Sequence, residues 1–156
     1  MSHKTVPNRA LHIVDVENEI GGREFGLADA RHLHQVWKAA VPNREMDQYV
    51  VATGKSTLGE VAFGWPGAVA RGRSGADGAD KEIVSYLEDV DYIASRFTHV
   101  YVGTGDHFMQ PVVAKLIAAG VHVTLVARKK ENVHYTFWTT AGLDMMFLDD
   151  AWDLAA

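Results

Sequence analysis

Residues 99–128, HVYVGTGDHFMQPVVAKLIAAGVHVTLVAR, read as a complete strand, loop, helix and strand. Val100, Tyr101 and Val102 form a short β-prone apolar run, ended by two glycines around Thr104. Met109, Val112, Val113, Leu116 and Ile117 then recur at the spacing of one helical face. Pro111 is harmless in the first turn, where its missing N–H has no partner to lose, and Gly120 stops the helix. Val121, Val123, Leu125 and Val126 make the next strand. Strands joined through a helix in this way pair in parallel by a right-handed crossover. Ligands of such sheets bind past the carboxyl ends of the strands, and Asp106 lies at that edge.

Earlier in the chain, Leu11, Ile13, Val14 and Val16 form the near-continuous apolar run of a strand buried on both faces, running out into Asp15, Glu17, Asn18 and Glu19. An aspartate there is equally expected of a plain turn, whose N–H groups it can bind. Gly21, Gly22 and Gly26 mark a connection, and Leu27, Leu33, Val36, Trp37 and Ala40 give the apolar face of a helix ended by Pro42. His32 and His34, two apart, do not share a helical face and read as surface or packing residues, not as a metal pair. Residues 47–53 are the second strand, residues 55–67 carry a weaker helical pattern, and residues 68–71 are a short third strand.

A long helix follows through Ile83, Val84, Leu87, Val90 and Ala94, with Asp77 and Asp80 in or just before its first turn. One aspartate at a helix start caps free N–H groups and complements the dipole. Two, three residues apart and preceded by glycines, leave a carboxylate for solvent or a cation. His134, Tyr135, Phe137 and Trp138 read as packing residues more than as a platform for bases, and residues 145–148 are the last strand. The alternation of strands and helices implies an α/β protein, a three-layer α/β/α sandwich on a mostly parallel sheet. Residues 10–150 are expected to form one domain between a loose tail at 1–9 and a C-terminal tail at 151–156.

Composition narrows the function classes. The 156 residues are 47% hydrophobic, enough for one sizeable core. No apolar run approaches the roughly 18 residues of a membrane helix, and residues 1–10 lack the apolar centre of a signal peptide, so a cytoplasmic protein with no membrane partner is expected. There is no cysteine, so a metal would be held by oxygen or imidazole, which favours a hard cation. The net charge of −5 is uneven: Asp144, Asp149, Asp150 and Asp153 follow Gly142 with no Lys or Arg among them, leaving a nearly neutral body. Acids that bind cations would turn that body positive, which permits a polyanionic ligand.

Asp15, the pair Asp77 and Asp80, and Asp106 belong to three separate strand-to-helix junctions at one sheet edge. Like charges brought together repel unless a proton or cation neutralises them, and Mg²⁺ or Mn²⁺ is the hard cation for such a site. Three pieces, LHIVDVENEIGG, GADGADKEIVSYL and VYVGTGDHFMQPVVAKLIAAGVHVTLVAR, carry a further likeness in order and spacing. Across residues 10–150 the chain resembles an NYN domain of the PIN-like nuclease superfamily.

That resemblance implies a metal-dependent ribonuclease whose metal-holding acids fall on Asp15, Asp80 and Asp106, with Asn18 and Thr104 as nearby polar positions and Asp77 as an extra acid. At one point the chain departs from the pattern. Many members read Gly-Asp-Gly-Asp-Phe, whereas this chain reads Gly105-Asp106-His107-Phe108-Met109, so Phe108 stands at the second aspartate and a fourth ligand is missing or comes from Asp77 or His107.

The expected activity is hydrolysis of RNA phosphodiester bonds, with Asp15, Asp80 and Asp106 holding one Mg²⁺ or Mn²⁺ that acidifies a water and stabilises charge at the phosphate. Asn18 and Thr104 would orient that water or a phosphate oxygen, and Lys55, Arg71, Arg73, Lys81 or Arg128 would contact the RNA backbone. The alternative is a catalytically idle NYN-type module that binds RNA or another protein, consistent with Phe108. A Rossmann-like nucleotide site would lean on Gly103 and Gly105, but Met109 breaks the fingerprint, and a receiver-like phosphoacceptor is the other use of acids at a sheet edge. The expected partner is RNA, single-stranded or structured, with a homo-oligomer left open.

Overall fold

The computed structural model describes residues 6–22, 24–75 and 77–154; residues 1–5 of the expected N-terminal tail lie outside them. In chain order the elements are β1 (Ala10–Asp15), α1 (Val16–Ile20), α2 (Leu27–Ala40), β2 (Gln48–Gly54), α3 (Leu58–Gly64), β3 (Val69–Arg73) and α4 (Gly78–Leu87). They continue with α5 (Val90–Arg96), β4 (His99–Gly103), α6 (Gln110–Ala118), β5 (His122–Ala127), α7 (Tyr135–Trp138), β6 (Asp144–Phe147) and α8 (Asp149–Leu154).

The strands form one sheet in the order β3-β2-β1-β4-β5-β6, and every neighbouring pair is parallel. Chain order reverses between β1 and β4, so their following loops diverge and leave a crevice at the carboxyl edge. The apolar runs explain the central positions: all six residues of β1 are buried, as are Val100 to Gly103 in β4 and Val123 to Ala127 in β5.

Two cores flank the sheet and complete the three layers. On one face Leu11, Ile13, Val102 and Leu125 meet Ile83, Leu87, Ile93, Val113, Leu116 and Phe137 from α4 to α7. On the other, Val14, Val51 and Val126 meet Leu33, Val36, Trp37 and Val61 from α2 and α3. Each large apolar side chain sunk in these layers contributes about 1.5–3 kcal/mol.

Some expectations are corrected. The long helix after the third strand is two helices, because the Asp89 carboxylate accepts the Tyr92 N–H at 3.1 Å and starts α5 afresh. The acidic turn after the first strand is itself a short helix, α1, closed by Gly21 in the left-handed region. Residues 151–154, expected as a tail, belong to α8, which is anchored by Trp152: its ring lies 4.9 Å from that of His32 and 3.9 Å from the Arg128 guanidinium. At the other end Arg9 Nε donates to the Arg96 carbonyl at 2.9 Å and fastens the close of the N-terminal segment. His34 stacks on Trp65 at 4.9 Å, so both α2 histidines pack on tryptophans. In α7 only Phe137 is buried; Tyr135 is exposed with its ring 4.4 Å from that of His134, and the exposed Trp138 stacks on Phe147 at 6.4 Å. Among the described residues no helix is long and apolar enough to cross a membrane.

Candidate active site

Asp15 ends β1 beside the crevice. Its Oδ1 accepts the Asn18 N–H at 3.1 Å, so one oxygen does the capping work that a turn aspartate would do. Burial, and then the neighbouring Asp80, hold its carboxyl well above the usual carboxylate range.

Asp80 lies in the first turn of α4, only 6% exposed. Its Oδ1 has no hydrogen-bond partner among the described residues. Burial is the main cause raising its pKa; the hydrogen bond with Asp15 opposes it, while the charges of Asp106 and Asp77 add to it. Asp80 therefore faces Asp15 and Asp106 together. Neither aspartate of the pair serves as the ordinary helix cap: Asp77 is in the left-handed region at φ 59° and its side chain makes no cap bond, although its carbonyl accepts the Lys81 N–H at 3.0 Å. A left-handed non-glycine residue costs on the order of 1 kcal/mol. The turn also needs Gly78, where a Cβ would overlap the Arg73 carbonyl.

Asp106 follows β4. Its Oδ1 accepts the Phe108 N–H at 3.1 Å and lies 3.3 Å from His107 Nδ1. Thr104 is fully buried and its hydroxyl oxygen accepts the Asp106 N–H at 3.1 Å; Asn18 Oδ1 accepts the Gly105 N–H at 3.2 Å. These two polar residues thus hold the loop that carries Asp106. The same loop is closed from behind, where the His134 N–H donates to the Gly105 carbonyl at 2.9 Å and the Asn132 carbonyl leaves no room for a Cβ on Gly105.

The fold brings Asp15, Asp80 and Asp106 together with Asp77 at the exposed rim. Among the described residues, no three acidic or imidazole side chains stand as a ready-made metal cage. The donor chemistry nonetheless fits a hard cation: carboxylate oxygens crowded out of water, one of them buried without a partner.

The basic residues divide. Arg71 and Arg73 both give Nε to Glu82, at 3.0 and 2.8 Å, which engages one of the five N–H donors of each guanidinium. Arg73 still reaches a cavity of about 450 Å³ beside Asp80, together with Lys81 and Phe108. Lys55, exposed, lines a neighbouring hollow of about 400 Å³ with Glu17 and Arg73. Arg128 leans on the fold: its Nη1 donates to the Ile20 carbonyl at 3.1 Å and its guanidinium covers Trp152, while its buried Nε has no hydrogen-bond partner among the described residues.

Two residues near the site carried no usable sequence signal. Glu19 is completely buried with both carboxylate oxygens unpartnered among the described residues; burial drives its pKa well up and the Arg128 charge opposes. His134 caps α7 through Nδ1 and stands 5.1 Å from the His107 ring, forming one wall of a hollow of about 300 Å³ that also holds Asn18 and Asp106.

No protein-family model matches the chain. No curated protein matches it either. Among solved structures it is similar to the MAR1 ribonuclease from Caenorhabditis elegans, with 13% identity and a TM-score of 0.49, over 96% of this chain and 82% of that one. At that level the likeness bears on neither activity nor site residues.

Proposed function

We propose that the chain is a divalent-metal-dependent endoribonuclease of the NYN type. The observation that carries the reading is Asp80, a buried carboxylate with an unpartnered oxygen, set between Asp15 and Asp106 at the switch point of a parallel sheet. A fold would not crowd these acids for stability, because each raises the cost of ionising the next. Asp15, Asp80 and Asp106 would hold Mg²⁺ or Mn²⁺, with Asp77 at the rim; when bound, such an ion supplies Lewis acidity toward a phosphate oxygen and a more acidic water.

The rest is positioning. Thr104 and Asn18 fix the loop of Asp106, and Lys81, Lys55 and Arg73 border the acids where backbone phosphates of RNA would run. Phe108 favours a second reading on the same surface, a module that binds RNA without turnover, since it supplies a ring where an additional acid would stand.

Incubating a mixed-sequence single-stranded RNA with the protein in Mn²⁺, Mg²⁺ or EDTA, beside the Asp106→Asn variant, separates them. Metal-dependent cleavage that the variant loses supports the nuclease. Binding without cleavage moves the assignment to the idle module, and neither binding nor cleavage ends both.

A further inference from the structure

Phe108 does more than fill the place of an acid. The residue is 48% exposed, and its ring is propped by the His107 ring stacked on it at 4.5 Å, which in turn leans on His134 at 5.1 Å. The ring forms a wall of the cavity of about 450 Å³ beside Asp80. The floor of that cavity is one face of α4, because Lys81, Val84, Ser85 and Glu88 recur at helical spacing. An exposed ring, a floor with Val84 between Lys81 and Glu88, a cation near the acids and a polar far end form an arrangement with chemical direction.

We infer that this cavity is a nucleobase pocket, seating the base of a nucleotide next to the scissile phosphate and preferring guanine. The inference rests on the proposed reading of the acids as an RNA site. Phe108 offers the flat face on which a splayed-out base stacks, the commonest way proteins hold unpaired RNA. Val84 supplies apolar contact beneath it. Lys81 and Arg73 lie toward the acids, where the phosphate of the seated nucleotide belongs, while Glu88 and Ser85 lie farther along α4. Ionised Glu88 is acceptor-only. Guanine alone among the four bases presents two adjacent donors, N1–H and the N2 amino group, on its Watson–Crick edge, matching a carboxylate in two parallel hydrogen bonds. Uracil presents one donor between two acceptors and is repelled. The pocket requires an unstacked base, so it selects single-stranded RNA over duplex.

The test is binding, read without turnover. Labelled oligouridines carrying one central guanosine, adenosine, cytidine or abasic unit are titrated by fluorescence polarisation in EDTA and again in Ca²⁺. The proteins are the full chain, Phe108→Ala, Phe108→Trp and Glu88→Gln. The guanosine oligomer binds tightest to the parent. Phe108→Ala weakens binding of base-bearing oligomers about tenfold, leaves the abasic one unchanged, and Phe108→Trp restores affinity. Glu88→Gln removes the guanine preference without changing abasic binding. The pocket is overturned if guanosine and abasic oligomers bind the parent equally, if Phe108→Ala binds like the parent, or if the parent binds none of them.

The two readings fail separately. Loss of base-dependent binding in Phe108→Ala, with no metal-dependent cleavage by the parent, keeps the pocket and ends the nuclease. Metal-dependent cleavage with binding unaltered by Phe108→Ala ends the pocket and keeps the nuclease.

Discussion

Asn18 Oδ1 accepts the Gly105 N–H at 3.2 Å, a bond between the helix that follows β1 and the loop that follows β4. It crosses the point where the strand order reverses, so one amide side chain sets the spacing between the Asp15 and Asp106 sides of the site. Asn18→Ala removes the bond and leaves a partly buried N–H unpaired, lowering stability by about 1 kcal/mol. The larger effect is on chemistry: with Asp106 free to shift by about an ångström, metal-dependent RNA cleavage falls roughly a hundredfold. Urea midpoints and single-turnover cleavage rates on the same samples compare the two losses, and equal, small changes in both would show that the bond does not position the site.

The carboxyls of Asp15 and Asp80 are both raised, chiefly by burial. A group whose folded-state pKa is raised favours folding most when protonated. Its stabilising contribution is complete below the ordinary value near 3.8 and is lost as pH rises through the elevated folded value. Metal-free protein should therefore lose stability from these groups as pH climbs out of the acid range. Mg²⁺ or Mn²⁺ should restore it at the upper end, and Asp80→Asn should be more stable than the metal-free parent there while cleaving nothing. Denaturation at a series of pH values with EDTA and with Mn²⁺ tests this; a parent insensitive to the ion at every pH would count against cation binding by these acids.

Glu19 gives the same sign at a second place. Fully buried and without hydrogen-bond partners among the described residues, it is held up by burial and only partly relieved by Arg128. Glu19→Gln keeps the shape and removes the titration, so its stability relative to the parent should rise with pH above the ordinary glutamate value of 4.5. A stability difference that stays flat across that range would show Glu19 to be solvated.

The succession of strands along the chain and the junctions that carry the candidate acids are legible in the sequence because both depend on local pattern. Apolar runs in β1, β4 and β5 are long enough to read as doubly buried strands, and each site aspartate belongs to a strand-to-helix junction that the same pattern reveals. What escaped depends on pairs distant in sequence. Arg71 and Arg73 both pair with Glu82 on α4, a partner that no local pattern shows. Arg128 likewise rests on Trp152 and the Ile20 carbonyl, both distant from it in sequence. The break between α4 and α5 turned on a single capping bond from Asp89, and an unbroken apolar periodicity through Val90 concealed it. Phe108 stands where the sequence pattern expects an acid, and that it shares a cavity with the exposed face of α4, more than twenty residues earlier, is a long-range pairing the sequence does not show.

Away from the site, the buried ring of His12 must be neutral with its proton on Nε2. Trp37 Nε1, which can only donate, gives its proton to His12 Nδ1 at 2.9 Å, leaving Nε2 to donate to Asp47 Oδ2 at 2.9 Å. Tyr49 and Tyr101 stack on the two sides of the ring, at 4.3 and 4.7 Å. Burial lowers the His12 pKa against the opposing pull of Asp47. His12→Phe keeps the stack but orphans the Trp37 N–H and one Asp47 contact, costing about 3 kcal/mol at neutral pH. For a depressed histidine the sign is opposite to that of the raised acids: its contribution is present above the ordinary 6.5 and lost as pH falls through the folded value. The gap in unfolding free energy between parent and His12→Phe should therefore narrow on acidification below pH 6.5, with RNA cleavage per folded molecule unchanged. A gap that widened instead would mean that His12 is charged and paired with Asp47, with the Trp37 hydrogen bond broken.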